Sequence, residues 1–144
     1  MASQGPLSPG TLADDATVGL QPWTDPTNAA SSNDSYTTAS MTVSVSHYLK
    51  ATNFGFSVPT GATITGILVE IEKSKTGGAI NNATDNIVKI VKSDGTIGTE
   101  DKKLAGTWPT TDAYYSYGSL SDLWSETWTY SDINDADFGV VISA

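Results

Sequence analysis

The sequence predicts an all-β fold, an antiparallel β-sandwich or jelly roll with an extended N-terminal arm. Three observations carry that reading. Thr (20), Ser (17) and Gly (13) make up over a third of the 144 residues, and charged residues only 16%, below the roughly one quarter usual in globular domains. Stretches with apolar residues at every second position recur along the chain, which is the period of a strand with one buried face. Clusters of Gly, Pro, Asn and Asp cut the chain at about ten-residue intervals, as in sandwiches and barrels built of short strands.

The elements follow in order. Residues 1–20 carry Gly5, Pro6, Pro9, Gly10 and Gly19 and no hydrophobic period. They read as an extended arm, separate from a β domain over 21–144, with apolar anchors at Leu7, Leu12 and Leu20. Deleting the arm is expected to leave the domain folded. Trp23–Ser40 is turn-rich, with one short strand near Tyr36–Ala39. Over Met41–Ala51, Val43, Val45, His47 and Leu49 alternate with Thr42, Ser44, Ser46 and Tyr48, so a strand is expected. Phe54 and Phe56 form a short strand or bulge, and Pro59-Thr60-Gly61 is a turn. Ala62–Ser74 is the strongest strand, expected to emerge into solvent at Glu70–Lys73. Asn86–Lys92 is another. Asp94-Gly95 then suits a type I′ hairpin turn, with a short return strand at Ile97–Glu100. Tyr114–Tyr117 reads as a strand, and Leu120–Trp128 as a strand or an irregular aromatic loop. Ser131 is expected to N-cap one helical turn, and Phe138–Ser143 is a final apolar strand.

Composition bounds function. At 15.1 kDa a single domain is expected, with about two-thirds of its unfolded surface buried. There is no cysteine, so neither a disulfide nor a thiolate zinc site within the chain is possible. Seven lysines and no arginine face 16 acidic residues, a net charge of −9. Such a chain repels phosphate, so binding to nucleic acid or to an anionic membrane is not expected. No apolar run reaches the roughly 20 residues of a membrane span. The start MASQGPLSPG lacks the basic and apolar segments of a signal peptide.

Chemistry-bearing residues are sparse. His47 is the sole histidine, and no Ser sits in a nucleophile elbow. Glu70 and Glu72 share a strand face about 7 Å apart, a separation that glycoside hydrolysis can use. Lys73 and Lys75 beside them favour a solvated face. Asp132-Ile-Asn-Asp-Ala-Asp137 departs from the calcium-loop pattern, with Ala136 at the fifth position and no Gly at the sixth. Gly77-Gly78 is followed by no Lys-Ser/Thr of a phosphate loop. No catalytic residue, cofactor or metal is therefore expected. The tryptophans and tyrosines are either core residues or a sugar-stacking platform.

Three stretches carry a resemblance: Trp23–Ala39 with its Trp-Thr-Asp-Pro-Thr-Asn and Asn-Asp-Ser-Tyr motifs, Tyr48–Glu72 with Phe54-Gly-Phe56 and Val58-Pro-Thr-Gly61, and Trp124–Val140 with Asp132-Ile-Asn134 and Phe138-Gly139. Together they resemble β-sandwich virion proteins of tailed bacteriophages, of the capsid decoration (cement) or fibre-associated kind. The resemblance implies a non-catalytic structural protein on the capsid surface. Its partners would be the major capsid protein or other virion subunits, and copies of itself, a trimer among the options. Partner contacts are expected at Leu7, Leu12, Leu20, Trp23, Trp124 and Trp128. The rival expectation is a carbohydrate-binding module or adhesin domain using surface Trp and Tyr.

Overall fold

The computed structural model describes residues 2–42, 44–77 and 82–144. The described chain is built of antiparallel β-sheets with one short α-helical turn. Four strands, β1 (Thr11–Asp15), β2 (Tyr48–Thr52), β4 (Ile87–Val91) and β6 (Gly139–Ser143), form a sheet in the order β1-β2-β6-β4. Two longer strands, β3 (Ile67–Lys73) and β5 (Ala113–Ser119), form a second sheet. A 3₁₀ turn spans Pro26–Ala30, and the helical turn α1 spans Tyr130–Asn134.

β6 lies at the centre of the larger sheet, and every one of its residues is buried. Its sequence, Gly-Val-Val-Ile-Ser, is apolar on both faces because both faces are covered. Val140 and Ile142 face the main core with Val88 and Ile90 of β4, Tyr117 of β5, and Trp124, Trp128 and Phe138. Val141 points the other way, into a smaller cluster with Tyr48 and Val91 over which Val18, Ile87 and Ile97 pack. Gly139 has no substitute: a Cβ there would stand 1.9 Å from the Ala51 carbonyl oxygen across the β2–β6 pair. The outer edge of β4 is closed by the following segment. Gly98 N–H donates to Ile90 O at 2.9 Å, and Lys102 N–H to Val88 O at 2.8 Å. That covering removes an aggregation-prone edge.

Several elements depart from the sequence expectation. Thr11–Asp15 lies within the residues read as an arm, yet it pairs along its whole length with β2, Leu12 opposite Ala51. Tertiary pairing overrides a segment too short and too acidic to show a period. Tyr36–Ala39 contributes only a bridge between Thr38 and Thr24. The strand expected from Met41 begins at Tyr48, because Val45 and Ser46 are engaged by Leu20, Gln21 and Ala144 instead; residue 43 lies outside the described residues. The turn before Ile97 is not type I′. Gly95 N–H closes it onto Lys92 O at 2.8 Å, so its central residues are Ser93 and Asp94, neither with positive φ, and Gly95 follows them at φ 80°, while Asp94 accepts from Thr96 N–H at 3.0 Å. The return strand shrinks to a Val91–Ile97 bridge. Leu120–Trp128 is an irregular loop in which Trp124 and Ser125 are both left-handed, φ 56° and 55°. The N-cap of α1 is Thr129 rather than Ser131. Thr129 and Asp132 form a reciprocal capping box, which satisfies two otherwise free N–H groups.

Candidate functional site

The alternation along β3 sends Ile67, Val69, Ile71 and Lys73 to its inner face. Lys73 was expected in solvent, but it is 7% exposed. Its Nζ donates to Asp85 Oδ1 at 2.5 Å and to the Tyr117 hydroxyl at 2.6 Å. It also lies 4.5 Å from the centre of the Tyr115 ring and 5.2 Å from that of Trp108. Asp85 accepts further from Trp108 Nε1 at 2.8 Å, the Tyr117 hydroxyl at 2.9 Å and Leu104 N–H at 3.1 Å. Burial works to raise the Asp85 pKa, but these donors, led by Lys73, outweigh it and hold the carboxyl below its ordinary value. Burial and the Asp85 bond push the Tyr117 phenol up. Every donor and acceptor here is engaged, so the group is a clamp between β3, β5 and the loop around Asp85. The signal for it was in the sequence: a lysine at the same parity as three inward aliphatics.

His47 Nδ1 lies 2.8 Å from Asp14 Oδ2. Asp14 also accepts from Trp23 N–H at 2.7 Å, and Trp23 Nε1 donates to His47 O at 2.9 Å. This closed ring of contacts ties β1 to the segment leading into β2 and holds the Trp23 indole in place. These contacts engage both Asp14 carboxylate oxygens and fasten the N-terminal strand.

The two sheets differ in width, and a cleft of about 1150 Å³ opens between them. It is larger than the roughly 300–1,000 Å³ of most small-molecule sites. The total surface of 7992 Å² likewise exceeds the roughly 7,000 Å² expected for this mass. Ile67, Val69 and Ile71 form one wall, and Leu49, Ala51 and Val140 the other. Three of the residues expected to bind partners meet along it: Leu7 at the mouth, Leu12 from β1, and Trp23. The others are placed elsewhere. Leu20 is 77% exposed, whereas Trp124 and Trp128 are core residues, Trp124 wholly buried with its Nε1 bonded to Ile67 O at 2.9 Å. Buried indoles do not form a stacking strip. The exposed rings are Tyr36 and Tyr114, and the Tyr36 phenol, hydrogen-bonded to Asp112, is pushed up to about 12.

Glu70 and Glu72 are exposed on the outer face of β3, opposite Ser116 and Tyr114. Asp132 is committed to its capping box and to the Ser93 hydroxyl at 2.7 Å, and Thr129 and Ser93 hold its carboxyl below the usual range. Of the Gly77-Gly78 pair, Gly78 lies outside the described residues. Among the described residues no group of three or more His, Asp or Glu side chains is arranged to hold a metal ion, and no helix is long and apolar enough to cross a membrane. No family model, curated protein or solved structure matches the chain.

Proposed function

We propose that the protein is a structural virion protein of a tailed bacteriophage, a decoration (cement) protein that binds the outer face of the head and stabilises it without catalysis or a cofactor. In this reading the two sheets around one core are the layers of a β-sandwich or jelly roll. The observation that carries it is the presentation of Leu7 and Leu20, 42% and 77% exposed, on either side of a strand fixed in the sheet. β1 makes the N-terminal region a firm ledge, and the two leucines stand on it as apolar anchors. Burying each against a shell subunit contributes about 1.5–3 kcal/mol. The partners are the major capsid protein or other virion subunits, and sister copies, a trimer being the simplest ring. The buried state of Trp23, Trp124 and Trp128 weighs against the rival carbohydrate-binding reading.

The test is co-sedimentation of purified protein with heads of the phage that encodes it. Saturable binding to heads is expected, weakened about tenfold or more by Leu7→Ala with Leu20→Ala, since each 1.4 kcal/mol is a factor of ten. Localisation to tails or fibres, or unchanged head binding by the double variant, overturns it.

A further inference from the structure

We propose that the free edge of β3 accepts an extended segment of another protein as a third strand, one with apolar residues at every second position and Lys or Arg between them. The first argument is geometric. Four strands face two, so β3 has a paired neighbour, β5, on one side only. Among the described residues no backbone hydrogen bond is made along the opposite edge of Leu68–Lys73. Alternate N–H and C=O groups of that edge are thus presented outward at strand spacing, the template for strand addition. The second argument is apolar. Ile67, Val69 and Ile71 face inward yet are only half-buried, because the cleft beside β3 leaves one flank of each uncovered. A strand laid along the edge would send every second side chain over Leu49, Ala51 and Leu12 and cover that flank.

The third argument selects the partner by charge. The intervening side chains of an added strand would stand on the outer face beside Leu68, Glu70 and Glu72, all exposed. Opposite charges across neighbouring strands attract and like charges repel, each by about 0.2–1 kcal/mol. Two glutamates therefore favour Lys or Arg at those positions. A second copy of this chain, with net charge −9, is the poorer match. A small aliphatic ligand would fill the cleft but leave the edge N–H and C=O groups unused. The inference does not depend on attachment to a shell.

The experiment titrates the isotopically labelled full chain with three short blocked peptides: alternating Val and Lys, alternating Val and Glu, and the Val–Lys peptide N-methylated at alternate residues. Amide shifts and hydrogen exchange along β3 are followed. The Val–Lys peptide is expected to bind about tenfold tighter than the Val–Glu peptide, the sum of two reversed cross-strand pairs, and to slow exchange of alternate β3 amides. N-methylation is expected to abolish binding, and Glu70→Lys with Glu72→Lys to invert the charge preference while leaving the far-ultraviolet spectrum unchanged. Equal affinity for all three peptides overturns the proposal. So does exchange of the β3 amides that is already slow in the protein alone and speeds up on dilution, which would give the edge to a second copy. Saturable uptake of decanoate into the cleft with no peptide binding overturns it in favour of a small ligand.

Discussion

Lys73 and Asp85 form a buried ion pair in which each charge depends on the other. Removing one partner from such a pair costs about 3–5 kcal/mol, because the remaining charge stays buried without compensation. Lys73→Met is therefore expected to lower the urea midpoint by that equivalent, and adding Asp85→Asn to recover part of it by neutralising the stranded carboxylate. Acid reads the same clamp. The Asp85 carboxyl is held below its ordinary 3.8, so its contribution is full above that pH and is lost as pH falls through the lower native value. Thermal unfolding followed from pH 7 downward should show a fall below about pH 4 that is shallower in Asp85→Asn. Part of this was legible in the sequence, since Lys73 shares the parity of Ile67, Val69 and Ile71. Its partner was not, because no local pattern ties Asp85 to a strand that ends twelve residues earlier.

β1 changes what the N-terminal region is worth. Residues 2–8 are exposed, held by paired contacts between the Gln4 side chain and the Ser57 backbone. Thr11–Asp15 is part of the sheet, and Asp14 holds His47 and Trp23. Deleting residues 1–9 should leave the melting temperature near that of the full chain. Deleting 1–20 should lower it clearly, against the expectation that the whole arm is separable. At the other end, Thr129→Ala removes half of a capping box and should cost about 1 kcal/mol in chemical denaturation. Strand type was legible where alternation was long, as in Ile67–Lys73, and where a short apolar run was continuous, as in Gly139–Ser143. Boundaries failed where loops competed for the same backbone, as at Val45–Ser46, and α1 was displaced because Thr129 and Ser131, separated by one residue, both suit a cap.

The whole molecule follows its composition: far-ultraviolet dichroism should show helix well under one fifth, against about one third for an average soluble protein. The cleft was not legible, because it arises from unequal strand numbers in two sheets, and strand order is not written in any one segment. That order has a consequence for biosynthesis. β6 follows every other described strand in sequence and lies inside the larger sheet, joining Leu49 of β2 on one side to Val88 and Ile90 of β4 on the other. Until it emerges from the ribosome, β1–β2 and β4 are separate pieces with no shared ladder, and Val88, Ile90 and Leu49 lack their covering residues. Closure of the larger sheet therefore waits on the synthesis of β6 and is slow, as non-local pairings require. Nascent chains arrested before Gly139 should be cut rapidly by protease, and chains arrested once Ser143 has cleared the exit tunnel should become resistant together along their length.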